Sequence, residues 1–416
     1  MITILNNISK SLGVEIAKVF LCLERVVKGS KQSFSKARYK IDWRAFIDLN
    51  EEFVRLYYSV PSDDRQNEKE QSRSYRLYRD KYLLLATDGS DYELPYEPSL
   101  ITEFGVVDAS AKQPICMAKG VKIWDILNQI TICSHLGRYD EAEIMLFRPT
   151  WQSAQSLLKQ ACDNTLLLLG DMHYPSFWLI FELMADKNAF LFRCRPDFCR
   201  EIVQFMACDA QDEVIQIPIH ADPYRRRKFL KRLNRVDYEQ APDCLIVRAV
   251  KFTRPTGEQS CLITSLLSDT EWSYQDLVDL YPYRWGEEES YNFDKNLTQI
   301  ENFSAKMPLG IRQDWYANTL MTNMAQLLIE EAQEILDTEQ QNKDNKYHYK
   351  INRAIAIGLI KDEIPKVLFG NMSIQTLSNR LIPSILKYRI PVRPNRSFER
   401  KRKHKLKFSM NLRRCV

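Results

Sequence analysis

A continuous apolar run, TLLLL at residues 165–169, limits the fold of this chain more than any other stretch. It lacks the alternation of a strand with one wet face, so it predicts a strand buried on both faces, as in parallel sheets. Gly170 and Asp171 end the run, and a helical segment (176–187) and another apolar strand segment (189–195) follow. This order predicts an α/β fold with Asp171 at the carboxyl end of a strand, where such sheets place their functional sites.

A second carboxylate follows a similar run. Residues 82–86 (YLLLA) predict a buried strand that ends at Asp88 and Gly89. An Asp-Gly pair after a strand is more often a plain turn than a site. Asp88 is therefore a candidate only in combination with other residues.

The segment YPYRWGEEESYNFDK supplies that combination. On a helix at about 100° per residue, Tyr281, Arg284, Glu288 and Lys295 fall within about 60° of one another, whereas the glutamates on either side of Glu288 lie off this stripe. Arg284 precedes Glu288 by four residues, close enough to orient it. The row suits a phosphate backbone with a bound metal, although charge pairs at this spacing also occur on ordinary solvated helices.

The spacing Y-x2-R-x3-E-x6-K matches the signature of one branch of the DDE insertion-sequence transposases, and the chain resembles that family. The resemblance implies that Glu288 is the third metal-binding carboxylate and that Tyr281, Arg284 and Lys295 contact transposon-end DNA. It extends to both aspartates. Asp88 begins DGS where the family has Asp-Gly-Thr, and Asp171 begins DMHY, which lacks the family's usual arginine and glycine after the aspartate.

The resemblance thus assigns catalysis and metal binding to Asp88, Asp171 and Glu288. Three carboxylates without a Cys/His cluster suit Mg²⁺, with Mn²⁺ able to substitute, and argue against zinc. Two ions per site are expected, one activating water or a 3′-hydroxyl and the other stabilising the leaving oxygen. The chain has neither a phosphate-binding P-loop motif nor a G-x-S-x-G motif, so nucleotide hydrolysis and serine hydrolase chemistry are not indicated.

The interval from Asp171 to Glu288 exceeds what an uninterrupted ribonuclease-H-like core needs, and its segments 199–219, 244–252 and 260–267 are rich in β-formers. The expected fold is α/β, a ribonuclease-H-like catalytic core interrupted by a β-rich insertion. The predicted regions are a helical N-terminal DNA-binding region and linker (1–78), the first part of the core (79–188), the β-rich insertion (189–275), the completion of the core (276–335) and a helical C-terminal region with a basic tail (336–416).

The net charge is only +5, from 59 basic and 54 acidic residues, so attraction to nucleic acid must come from local patches. Three segments are candidates: the basic connection from Lys28 to Lys40, the run YRRRKFLKR at 224–232, and the tail from Lys387 onward. Each is expected to contact phosphates, and each could instead be solvated surface.

These features favour a transposase that binds double-stranded DNA, both terminal inverted repeats and target, and that cleaves and joins ends as a homodimer in a synaptic complex. No apolar run reaches the length of a membrane span, and the expected location is the cytoplasm of a prokaryotic cell, associated with the nucleoid. Two alternatives remain open. One is a non-catalytic DNA-binding protein derived from a transposase, and the other is a structure-specific nuclease on the same fold.

Overall fold

In a computed structural model, the structure describes residues 1–5, 12–22, 30–59, 75–107, 114–220, 223–233, 235–254, 256–341 and 346–393. The predicted linker at 61–74, Lys28 of the basic connection and the tail beyond residue 393 lie outside the described residues. The described part is a mixed α/β structure with one large mixed sheet and many helices.

The strands, in chain order, are β1 (Tyr82–Glu93), β2 (Val106–Val107), β3 (Ile115–Asp125), β4 (Ile130–Arg138), β5 (Thr165–Gly170), β6 (Ala189–Cys194), β7 (Asp212–Pro218), β8 (Cys244–Thr253), β9 (Gln259–Thr264), β10 (His348–Ile351) and β11 (Arg389–Val392).

The helices are α1 (Ile2–Leu5), α2 (Leu12–Cys22), α3 (Lys31–Arg38), α4 (Arg44–Ser59), α5 (Pro98–Phe104), α6 (Glu143–Ala161), α7 (Phe177–Ala185), α8 (Arg200–Ala207), α9 (Pro223–Leu230), α10 (Arg235–Glu239), α11 (Tyr274–Leu280), α12 (Trp285–Asn296), α13 (Pro308–Gln341), α14 (Arg353–Leu368) and α15 (Ile374–Lys387), with a 3₁₀ helix at Tyr281–Arg284.

The large sheet has the order β2-β3-β1-β5-β6-β9-β8-β7, with β4 paired to β3. Strand β3 pairs antiparallel with β1 and with β4, whereas β5 pairs parallel with β1 and with β6. Beyond β6, strands β9, β8 and β7 continue the sheet with antiparallel pairs. The parallel pairs lie in the middle of the sheet, as expected for strands covered on both faces.

Alternation along β1 and β5 explains the two covered faces. Leu83 and Leu85 belong to the same core cluster as Phe147 and Trp151 of α6. Leu84, between them, belongs to a second cluster with residues of α11. Because successive side chains of a strand point to opposite faces, an uninterrupted leucine run fills two cores at once. The prediction that residues 165–169 form a strand buried on both faces is confirmed, since all of β5 after Thr165 is buried.

The prediction that the first strand ends at Asp88 is wrong. Strand β1 continues to Glu93, because Gly89 to Glu93 pair with Val121 to Met117 of β3. The parallel partner β5 stops earlier, at the pair Ala86 and Leu169. Asp88 thus lies inside a strand, two residues beyond the point where β5 no longer pairs with it.

Residues 199–219 are also not β throughout, because α8 occupies Arg200–Ala207 before β7 begins. Its apolar residues Ile202 and Phe205 are buried and lie three apart, which is helical spacing. The strands of the region 189–275 extend the large sheet through the pairing of β6 with β9. The division of the chain at these boundaries stays a prediction.

The described part of the N-terminal region packs on α13. The Arg38 guanidinium of α3 is buried and contacts Gln313, Ser304 and Asp314, with Arg38–Asp314 at 2.8 Å. Lys31, Lys36 and Lys40 of the same basic stretch remain exposed. Arg38 therefore has a structural role, and only its neighbours are accessible to a phosphate.

None of the helices in the described ranges is long and apolar enough to cross a membrane.

Candidate active site

The three predicted carboxylates come from different elements at one end of the sheet. Asp88 is in β1, Asp171 directly follows β5, and Glu288 is in the first turn of α12. Helix α12 is fastened to β1 by Tyr291, whose hydroxyl donates to the Asp88 carbonyl at 2.6 Å. The sequence placed these residues far apart, and the fold brings their elements together.

Arg284 joins two of these carboxylates. Its Nη1 donates to Asp88 Oδ2 at 3.3 Å and its Nη2 donates to Glu288 Oε1 at 3.0 Å. The second contact follows from the i,i+4 spacing, whereas the first could not be read from the sequence. Only 7% of the arginine side chain is exposed, so the guanidinium is held within the site.

The other two residues of the stripe are also mostly covered. Tyr281 is buried, with its ring 5.9 Å from that of Phe252. Lys295 is partly buried, and its ammonium donates to the Asp91 carbonyl at 2.5 Å and lies over the Tyr92 ring. The Lys295 contacts fix α12 against β1, whereas the Tyr281 contact joins the 3₁₀ helix to β8.

Glu287, which the stripe leaves aside, is fully buried beneath the site. Its carboxyl oxygens have no hydrogen-bond partner within the described ranges. Burial raises the pKa of Glu287 well above its ordinary value, and nearby Lys122 only partly opposes this. Lys122 is itself in a buried ion pair with Asp294 of α12. Glu287 is therefore an interior acid whose charged form is disfavoured by burial.

Asp88 lies in an environment with a surplus of negative charge. Its pKa is raised to about 6, first by burial and then by the neighbouring carboxylate of Glu143, with a further contribution from Asp171. Arg284 acts in the opposite direction. A carboxyl in such surroundings gains from any additional positive charge.

Glu143, the first residue of α6, was missed by the sequence analysis. Its carboxylate accepts a hydrogen bond from the buried Tyr174 and packs so closely over Gly89 that a Cβ there would overlap it. Burial raises the pKa of Glu143, and Asp171 adds to this while Tyr174 opposes it. The surrounding sequence, DEAE, carries other acids, so the residue alone gave no signal. Only the side-chain-free Gly89 of β1 hints that another group approaches.

Asp171 forms a tight turn with His173. One carboxyl oxygen accepts from the His173 backbone N–H at 2.8 Å, and the other lies 2.9 Å from Nδ1 of the same residue. The imidazole is two-thirds exposed. Met172 and His173 thus stand where the family resemblance led us to expect arginine and glycine, and His173 orients the carboxylate.

The donor set suits a hard cation. Asp88, Asp171, Glu288 and Glu143 offer only oxygen ligands, and after burial the charge of Glu143 is the largest cause of the raised pKa of Asp88. As these side chains are placed, no three Asp, Glu, His or Cys residues in the described part of the chain are grouped closely enough to hold a metal ion. Arg284 occupies the space between Asp88 and Glu288.

No protein-family model matches this chain, and no curated protein matches it. Among solved structures, it is similar to a cryo-EM structure of the piggyBac transposase synaptic complex with hairpin DNA, with a TM-score of 0.41 and 10% sequence identity. The match covers 80% of this chain and 64% of the other, which is less than two thirds of that protein's length. Because this similarity is low, the function of this chain is inferred from its own residues.

Proposed function

We propose that this chain is a DDE transposase that binds terminal inverted repeats and carries out metal-dependent cleavage and joining of DNA ends. The observation that supports this most directly is the Arg284 bridge between Asp88 and Glu288. It links two carboxylates, one from the Asp-Gly pair within β1 and one from the signature, that lie two hundred positions apart. The charge of Asp171 also acts on Asp88, since it contributes to the raised pKa of Asp88.

The sheet supports a ribonuclease-H-like core. Strands β4-β3-β1-β5-β6 give the spatial order third, second, first, fourth and fifth, with three antiparallel strands followed by two parallel ones. Helix α6 separates β4 from β5, and α7 separates β5 from β6. This is the order expected of a ribonuclease-H-like sheet, and α12 would be its last helix.

Asp88, Asp171 and Glu288 would hold two Mg²⁺ ions, or Mn²⁺ in their place, once these side chains move closer together than they lie here. The Glu143 carboxylate, which packs over Gly89, would assist them. Bound there, such ions would polarise the scissile phosphate and activate the attacking water or 3′-hydroxyl. Arg284 orients the Asp88 and Glu288 carboxylates, and Tyr291 holds the backbone of β1 at Asp88. Tyr281, Arg284 and Lys295 are proposed to contact the DNA end at this same edge of the sheet.

The decisive experiment is cleavage of a labelled duplex that carries the genomic sequences flanking the gene, in the presence of Mg²⁺. We expect the wild type to cut at the element boundary and Glu288→Gln to lower the rate by at least about 100-fold, because a lost metal ligand removes several kcal/mol of transition-state stabilisation. Glu289→Gln is the matched control, since this neighbouring carboxylate on the same helix is exposed. Glu287 is unsuitable as a control because it is buried.

The alternatives give different results. A chain that binds the flanks without cutting them, with Mg²⁺ or Mn²⁺, would be a non-catalytic DNA-binding protein. A chain that cuts branched DNA regardless of sequence and joins nothing would be a structure-specific nuclease. Equal activity of Glu288→Gln and the wild type would refute the assignment of the third carboxylate.

A further inference from the structure

A groove of about 520 Å³ opens beside the carboxylates, between the start of α7, the end of β6 and helix α9. Its lining includes His173, Arg195, Tyr224, Lys228, Lys231 and Arg232. His173 is bonded to Asp171, and Ile144, which follows Glu143 in the chain, also lines the groove. The groove therefore begins at the candidate active site and leads away from it along α9.

Helix α9 is anchored by one face only. Arg225 is buried, pairs with Glu201 at 2.5 Å and donates to the Pro218 carbonyl at 2.7 Å. Phe229, one turn later, is fully buried with its ring 5.8 Å from Phe177. Because both anchors point inward, together with the partly buried Leu230, the polar side chains of the run lie toward the outer surface of the helix.

The outer residues divide into two sets. Tyr224, Lys228, Lys231 and Arg232 lie at offsets 0, 4, 7 and 8, which place them on one face of a helix, and all four line the groove. The helical turn continues past Leu230, since the Lys231 N–H donates to the Arg227 carbonyl at 3.1 Å. Arg226 and Arg227 are exposed but are not part of the groove lining.

The groove carries a net positive charge. Lys228 and Lys231 form no ion pair with any carboxylate in the described ranges. The carboxylate of Asp197, which also lines the groove, is paired with Arg195 at 2.8 Å. The phenol of Tyr224 is more than half exposed and lies beside the Lys228 ammonium, 5.2 Å away. Cations at regular helical spacing next to an open aromatic ring suit a partner with repeated phosphates and flat bases.

We infer that this groove binds a single DNA strand that continues from the carboxylate site. Phosphates would lie against Lys228, Lys231 and Arg232, and a base would stack on Tyr224. The groove has a volume of about 520 Å³ and is bordered by α7, which fits one strand more closely than a duplex. The inference rests on the proposed function, because that function makes DNA the substrate.

The test compares two double variants of the full chain that remove the same charge from the same helix. Lys228→Ala with Lys231→Ala removes two groove cations, and Arg226→Ala with Arg227→Ala removes two cations outside it. Alanine retains helix propensity, and thermal melting confirms that each variant is folded. The probe is a fluorescent 30-nucleotide oligodeoxythymidine, and its affinity is measured by anisotropy in EDTA across a series of salt concentrations.

We expect the groove variant to bind about tenfold or more weakly and to lower the slope of log affinity against log salt by about 1.4, the value for two lost contacts to a single strand. The other variant should keep the wild-type slope. The same groove variant should weaken binding of a 30-base-pair duplex less than binding of the single strand.

Equal losses in the two variants would indicate a diffuse basic surface and overturn the inference, as would no loss in either. A larger loss for the duplex would overturn the choice of a single strand. Cleavage with Mg²⁺ is measured separately. If the wild type never cleaves DNA while the groove variant still loses binding, the proposed function is refuted. Binding of a single strand by the groove is then still supported.

Discussion

Ionisation of Asp88 is less favourable in the folded protein than in the unfolded chain. Its pKa is raised from 3.8 to about 6, chiefly by burial and by Glu143. Between these values the folded chain holds a proton that the unfolded chain has lost, so stability falls as pH rises through this window. We expect Asp88→Asn to match the wild type at pH 3.5 and to be more stable by about 3 kcal/mol above pH 7, from urea denaturation in EDTA.

Asp140→Asn is the control for this prediction because the pKa of Asp140 is shifted in the opposite direction from that of Asp88. Asp140 is exposed, and its pKa is lowered by hydrogen bonding to Arg138. Its replacement should not stabilise the chain at any pH. If the difference between Asp88→Asn and the wild type did not change between pH 4 and pH 7, the carboxylates around Asp88 would not interact as described.

Local sequence patterns predicted the helices and strands better than the contacts between them. The burial of β5 follows from its continuous apolar run, and the contact of Arg284 with Glu288 follows from their i,i+4 spacing at the start of α12. The length of β1 depends on β3, a partner more than twenty residues away, so a local Asp-Gly signal misplaced its end. A helical wheel shows which residues share a face, but it does not show which face points toward the interior. For that reason the wheel excluded Glu287 from the predicted site without indicating that it is the most buried of the three glutamates.

Glu143 illustrates the same limit at the site. Its position depends on how α6 meets β1, and no spacing within either element encodes that approach. Tyr174, its hydrogen-bond donor, comes from a third segment. A candidate site assembled from several strand ends can therefore be predicted in outline, whereas the side chains that complete it become visible only in the packed structure.

The packing of β3 against α13 can be tested at a glycine. Gly120 of β3 faces two buried rings, and an added Cβ would lie 2.7 Å from Tyr92 Cε2 and 2.8 Å from Trp315 Cζ2. Neither ring can move without displacing its neighbours, so we expect Gly120→Ala to lower the free energy of unfolding by about 1–3 kcal/mol, measured by urea denaturation.

Gly358→Ala is the matched control for this change. Gly358 lies in α14 with nothing within 4 Å of an added Cβ. The substitution should stabilise the chain by about 0.5–1 kcal/mol through helix propensity. Stabilisation by Gly120→Ala would show that β3 and α13 are less closely packed than described.

Across the whole molecule, segments from both ends of the chain pack on each other beside the sheet. Helix α4 contacts α13 through Asn50 and Asn323, whose side chains are 2.8 Å apart, and through Tyr57 and Glu330 at 3.2 Å. Asn323 also binds the backbone of β4 at Thr131. The described N-terminal helices are thus built into the body of the protein, and their exposed lysines have a fixed position relative to the carboxylates.

Arg38 is the strongest of these long-range connections. Its guanidinium binds Asp314, Gln313 and the Gly310 carbonyl, and both Arg38 and Asp314 are buried. Arg38→Ala would leave the Asp314 carboxylate buried without its cation, so we expect a loss of about 3–5 kcal/mol of unfolding free energy in urea denaturation. Arg44→Ala, which removes an exposed pair with Asp42, should have no measurable effect. Because Arg38 and Asp314 form one ion pair, adding Asp314→Ala to Arg38→Ala should cause little further loss of unfolding free energy. Additive losses in the double variant would mean that the two residues stabilise the fold independently, and the connection between the N-terminal helices and α13 would have to lie elsewhere.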